Sequence, residues 1–252
     1  MCLRSASRFA HWLLQLGPVR AMATDNLSVE QITKELEELR LAPISVADFE
    51  VHVRNLLLKD FPFDFFSHGI VEEAGELYEA IEAKKQKKSG FWAGLAALFG
   101  FGSEARKPED IKAVAKEIGD VLFYTTAFTM RLGREVNGIA MPEEWPVNQT
   151  EPQKESEADE PAGALEVRLM FRTTKLSGRV AKVLRGDKEM EKFIPAICEH
   201  RDAILRHLAG LAAELGLTLS DCARLNVKKL TNRRSTNTLQ GDGDNREEKA
   251  VE

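Results

Sequence analysis

Apolar residues recur at helical spacing along nearly the whole chain, and the alternating, β-branched pattern of a strand hardly occurs. Ile70, Ala74, Leu77 and Ile81, for example, fall on one narrow stripe at about 100° per residue. The fold class is all-α. Ser28 with Gln31, and Ser45 with Asp48, read as capping pairs that open helices over residues 28–41 and from 45 towards 59, with Pro43 between them. A third helix is predicted over 68–85, and a fourth opens on Pro108 and runs to about 133. Three more follow at about 162–184, 190–215 and 220–234.

Between these elements the composition changes. The stretch PEEWPVNQTEPQKESEADEP, residues 142–161, is poor in apolar residues and reads as a linker. From Ser235 onward the tail is polar and expected to be flexible unless a ligand orders it. A segment inserted between the third and fourth helices, about 86–108, has an apolar centre, FWAGLAALFGF. A hydrophobic turn packed on the bundle is the expectation there; a lid, a membrane-touching hairpin and a partner surface are the alternatives. For Phe61, Phe63, Phe65 and Phe66, core packing is favoured over stacking on a nucleobase.

With 252 residues, 43% of them hydrophobic, the chain can build one large or two small cores. A net charge of -5 argues against duplex nucleic acid as a partner, and no apolar run approaches the roughly 18 residues of a membrane span. Three cysteines without paired spacing build no disulfide framework. Residues 1–24 carry Arg4, Arg8 and Arg20 and no acid before Asp25, a composition suited to import into a mitochondrion or another organelle. Met22 as an alternative start would leave the protein cytoplasmic.

The candidate chemistry begins at VEEAGELYEAIE, residues 71–82, which holds five glutamates. A solvated acidic face accounts for Glu79 and Glu82. It accounts poorly for Glu73, about 70° from the centre of the apolar stripe, with Glu76 one turn on. In KEIGDVLFYTTAF, residues 116–128, Glu117 and Asp120 repeat the three-residue spacing, and Asp120 enters an apolar run. Acids there are partly desolvated, which is costly unless a cation or a donor meets them. Two pairs on adjacent helices can converge on a hard divalent cation; magnesium, with phosphate completing its shell, is the natural one.

EEAGE at 72–76 followed by EIGD at 117–120, flanked by GELYEAIE and GDVLFY, resembles the E-E-x-x-E then E-x-x-D signature of the MazG-like all-α nucleoside triphosphate pyrophosphohydrolases, a family similar to the dimeric dUTPases. The resemblance implies a helical bundle that cleaves an NTP or dNTP between the α and β phosphates with Mg2+, giving the monophosphate and pyrophosphate, in keeping with a role in cleaning nucleotide pools. It implies Glu73, Glu76, Glu117 and Asp120 as metal ligands and Glu72 as the residue that orients or deprotonates the attacking water. In ELGLTLSDCARLNVKKLTNRRSTNTLQGDGDNRE, residues 214–247, the chain is similar to the end of such domains, with Asn226, Lys229, Arg233 and Arg246 at the positions that bind substrate phosphate. Lysine and arginine suit phosphate oxygens; a favourable interaction with the helix dipole is the plainer explanation.

The two resemblances lie in different halves, which implies tandem copies, 25–140 and 163–234, joined by a linker at 141–162 and paired as a pseudo-dimer. In the second copy Leu176 and Arg179 stand where the first has Glu73 and Glu76, and His200 and Ala203 stand at the places of Glu117 and Asp120. That copy reads as degenerate, with His200 and His207 structural or exposed. Its basic helix would complete the acid site of the first, and a homo-oligomer of such pseudo-dimers is a further expectation. Two other readings stay open: a catalytically weak nucleotide-binding or interaction protein, and a dUTPase-like enzyme selective for uracil.

Overall fold

A computed structural model describes residues 43–57, 61–88, 107–147, 163–186 and 189–236, together with Pro161 and a few positions between 30 and 38. The candidate transit segment, most of the helix expected over 28–41, the apolar centre of the insertion, most of the linker and the tail with Arg246 lie outside the described residues. Six helices have defined bounds: α1 (Val46–Leu56), α2 (Phe63–Lys88), α3 (Pro108–Glu135), α4 (Leu165–Leu184), α5 (Met190–Glu214) and α6 (Leu219–Ser235). Among the described residues there is no strand, and no helix is long and apolar enough to cross a membrane. The chain divides into two compact units, Leu27–Asn232 and a second made of Met1–Asn26 with Arg233–Glu252. Of the second, the described part is the end of α6.

Local sequence explains most boundaries. Ser45 caps α1 as expected, its hydroxyl accepting from the Asp48 amide at 3.1 Å and donating to the Asp48 carboxylate at 2.7 Å. The helix stops at Leu56, short of the expected 59. Helix α2 starts five residues before the expected 68, because Phe63, Phe66 and Ile70 follow the same i, i+3, i+7 stripe as the later core positions and are buried with them. The aromatic patch is therefore the first turn of a helix. Phe63 and Phe66 enter the core, while Phe61 and the exposed Phe65 stack on each other with centroids 4.2 Å apart. Pro108 opens α3 at its first turn. Helix α5 ends in a Schellman turn: Gly216 takes φ 72° and the Leu217 amide reaches back to the Ala212 carbonyl at 2.9 Å.

Helix α2 packs broadly on α3, α4 packs broadly on α5, and α2 meets α4; α1 lies on α3, which also touches α5. One continuous core runs through all six helices, from Phe49 and Ile70 to Leu176, Ile204 and Leu225. The segment expected to be linker begins differently from expectation. Met141 is buried, and Trp145 donates its indole N–H to the Ile44 carbonyl at 2.8 Å while lying edge-on to Phe49. An indole ring gains more from burial than the surrounding polar residues lose, so the chain stays docked through this point. Ile44 is also held by Ser220, whose hydroxyl accepts from the Ile44 amide at 2.7 Å and donates to its carbonyl at 3.1 Å. The start of α6 is thus fixed to the chain entering α1.

Candidate functional site

Three helices build the site. On α2, Glu73 stands beside the fully buried Ala74 and Leu77, so its carboxyl is half-buried at the edge of the core. On α3, Glu117 and Asp120 are one turn apart and keep only 2% and 8% of their surface exposed. Each of the three offers a carboxylate oxygen within 4.8 Å of the others. Three ionised carboxyls this close, with little water between them, repel strongly. The cost appears on Glu73, whose pKa is pushed from 4.5 up to about 9, first by burial and then by the charges of Asp120, Glu76 and Glu117, against a smaller opposing pull from Lys229.

Helix α6 supplies the counter-charge. Asn226, fully buried, donates from Nδ2 to Oδ1 of Asp120 at 2.7 Å, and the Lys229 ammonium donates to Oδ2 of the same carboxylate at 2.5 Å. Spacing of three on a helix puts both donors on one face. The close approach is made possible by Gly119: a methyl group there would lie 2.8 Å from the Cys222 carbonyl oxygen and 2.9 Å from Cβ of Asn226. The glycine of E-I-G-D therefore lets α6 settle against α3 at the level of the acids. At its start, α6 is held by a reciprocal cap in which Asp221 accepts from the Thr218 amide at 2.7 Å and Thr218 Oγ1 accepts from the Asp221 amide at 3.2 Å.

Of the four residues the sequence suggested as metal ligands, the structure brings Glu73, Glu117 and Asp120 together. Glu76 lies one turn along α2, exposed, close enough for its charge to act on Glu73. Glu72 is exposed on the α2 surface. Asn226 and Lys229 reach Asp120 directly; Arg233 follows on the same helix and is buried, and Arg246 is outside the described residues. The second-half positions that the sequence pattern sets against these acids hold no carboxylate: Leu176 and Ala203 are buried apolar residues, Arg179 is half-buried and His200 is buried. Two contributors were not singled out from sequence, Gly119 and the Thr218–Asp221 cap. The T-x-x-D spacing was a legible signal for the second; for Gly119 the only hint was a glycine in the middle of an otherwise uninterrupted helical pattern.

The donor set suits a hard divalent cation: carboxylate oxygens alone, on two rigid helices, in surroundings that penalise three bare negative charges. A further oxygen is at hand. Because Asn226 donates from Nδ2 to Asp120, its Oδ1 is fixed on the other side of the amide, buried and accepting no hydrogen bond. Such an acceptor can hold a water or a substrate group at the edge of the acid cluster.

No curated protein and no solved structure matches the chain significantly. One family model does, that of the MazG nucleotide pyrophosphohydrolase domain, over residues 64–144. The matched segment takes in α2, α3 and the turn that carries Met141, so it contains Glu73, Glu117 and Asp120, the acids that converge in space. Over residues 64–144 the chain is thus similar to the MazG nucleotide pyrophosphohydrolase domain, and among the described residues every regular element is a helix.

Proposed function

We propose that the protein is a Mg2+-dependent nucleoside triphosphate pyrophosphohydrolase, converting an NTP or dNTP and water to the monophosphate and pyrophosphate, as in the removal of unwanted nucleotides. The observation that carries this reading is the convergence of Glu73, Glu117 and Asp120 within 4.8 Å on two packed helices, in the segment that matches the family. Glu73, Glu76, Glu117 and Asp120 would hold the ion, which when bound supplies charge neutralisation at the phosphates and polarises water.

The remaining steps belong to the chain. Water attacks the α phosphorus in line; its proton passes to Glu72 on the open side of α2, and the bond from the α phosphorus to the bridging oxygen breaks to release pyrophosphate. Lys229 holds Asp120 until substrate arrives and then offers its ammonium to the departing phosphates, with Asn226 keeping the carboxylate oriented. The family resemblance assigns Arg233 and Arg246 to substrate phosphate as well, and a guanidinium is suited to bidentate contacts with its oxygens.

In this reading the site is composite: acids come from the first half of the chain and the cation from the second. The direct contact of Asn226 and Lys229 with Asp120 supports it, as does the packing of one helix pair, α2 with α3, on another, α4 with α5, in the manner of a pseudo-dimer. Pyrophosphate release from a panel of ribo- and deoxynucleoside triphosphates with Mg2+ tests the function. Activity that disappears in Glu117→Ala supports it, and preference for one base would identify a dUTPase-like or other selective enzyme. Nucleotide binding without pyrophosphate from any substrate would refute catalysis and leave a regulatory protein.

A further inference from the structure

The α4–α5 pair holds a second polar cluster that the reaction above does not use. Arg172 on α4 and His200 on α5 are both buried, with 2% and 7% of their surface exposed. Arg172 Nη1 lies 3.3 Å from His200 Nδ1 and 3.3 Å from Oε1 of Glu199. A guanidinium donates only, so Nδ1 must be the acceptor, and the neutral ring then carries its hydrogen on Nε2. That Nε2 is buried and has no hydrogen-bond partner. The ring does not escape by taking up a second proton: burial holds its pKa below the ordinary 6.5, and Arg172, Arg179 and Lys175 push the same way against Glu199.

The charges around this donor do not balance. Lys175 and Arg179 follow Arg172 at i+3 and i+7 on α4, so the three cations share one face. Arg172 has Glu199, whose side chain is 45% exposed. Lys175 and Arg179 rest on rings, the ammonium 5.0 Å from the Phe171 centroid and the guanidinium carbon 5.5 Å from that of Phe193. Among the described residues neither pairs with a carboxylate. Three cations and one acid leave a local excess of two positive charges beside a buried N–H that lacks an acceptor. Cation–ring contacts at partly exposed sites are weaker than charge-assisted hydrogen bonds to phosphate oxygens, so both side chains can turn from their rings to an anion that reaches Nε2.

We propose that the Arg172–His200 cluster is a second anion site, taking a phosphoryl group from free phosphate or pyrophosphate or from a nucleotide. Only an acceptor satisfies the Nε2 donor, and a doubly charged one matches the excess of cations. The cluster sits where the second half has lost the carboxylates of the first, so its chemistry is inverted: the place of a cation has become a place for an anion. The site stands whether or not the protein hydrolyses nucleotides.

The test uses the full chain in EDTA, titrated by calorimetry with inorganic phosphate, pyrophosphate and a nucleoside monophosphate, while the 15N resonances of the His200 ring are followed. Saturable binding should shift Nε2 and weaken at least about tenfold in Lys175→Ala/Arg179→Ala, whose changes lie outside the core. A monophosphate that binds more tightly than phosphate would make a nucleotide the ligand; equal affinity would make it the free anion. The proposal is overturned if no anion saturates, if the double substitution leaves binding unchanged, or if the Nε2 resonance does not move at saturation.

Discussion

Loading of the carboxylate site with magnesium should release a proton. In the metal-free protein the Glu73 carboxyl, pushed up to about 9, is protonated at pH 7. A cation that uses this oxygen must displace the proton across about two pH units. At about 1.4 kcal/mol per unit that is on the order of 3 kcal/mol, or a hundredfold in apparent affinity between pH 7 and pH 9. The metal affinity should therefore rise close to tenfold per pH unit below about pH 9 and level off above it. Calorimetry in buffers of different ionisation enthalpy should count about one proton released per Mg2+ at neutral pH. In Glu73→Gln, which mimics the protonated acid, the released proton should vanish and the affinity should lose its slope. Stability follows the same sign. The folded value lies above the unfolded 4.5, so the contribution of Glu73 is full below 4.5 and is lost as the pH rises through about 9. The metal-free protein should thus melt at progressively lower temperature over that window, and Mg2+ should flatten the decline. A metal affinity constant between about pH 6.5 and pH 8.5, with no proton release, would refute the placing of Glu73 in a desolvated acid cluster.

Other parts of the structure make separate demands. Gly119→Ala, with a methyl 2.8 Å from the Cys222 carbonyl oxygen, should force α6 off α3; a loss of about 1–3 kcal/mol in urea and a fall in pyrophosphate release larger than the loss of folded protein are expected. Lys229→Met leaves the buried Asp120 charge without its ammonium and should cost about 3–5 kcal/mol in EDTA, with much of the loss recovered when Mg2+ takes over the carboxylate; a loss that Mg2+ does not touch would speak against a cation at Asp120. Ser220→Ala removes both hydrogen bonds to Ile44 and should lower stability by about 1–2 kcal/mol in denaturant unfolding, while leaving the proton count of metal binding as it was.

Helix positions and the acid pairs were open to sequence reasoning because they rest on short-range rules. A stripe such as Ile70, Ala74, Leu77 and Ile81 marks a core face, and an acid beside it, Glu73, or within an apolar run, Asp120, is marked by the burial it must endure. The misplaced start of α2 shows the limit of that approach: four phenylalanines in six residues looked like an irregular patch until Phe63 and Phe66 were seen to continue the stripe. Docking of Trp145 was illegible because its partners, Ile44 and Phe49, lie about a hundred residues away and no local rule joins them. The role of Gly119 was hidden for the same reason. Its lack of a side chain matters only because Cys222 and Asn226 press against it from another helix.

Asp120 is where the two halves of the chain depend on each other. It is buried among apolar residues of α3 and has an oxygen within 4.8 Å of two other acids, and its own half places no donor on it among the described hydrogen bonds. Asn226 and Lys229 follow Asp120 by 106 and 109 residues, on a helix pinned at its start to Ile44 through Ser220 and able to approach only because residue 119 is glycine. In the proposed reaction the ammonium that now pairs with Asp120 would turn to phosphate when a metal ion took its place at the carboxylate. A single ammonium can therefore serve the resting and the loaded site in turn. A helix that carries this charge has reason to be retained in a half whose own positions at 176, 179, 200 and 203 hold leucine, arginine, histidine and alanine in place of acids.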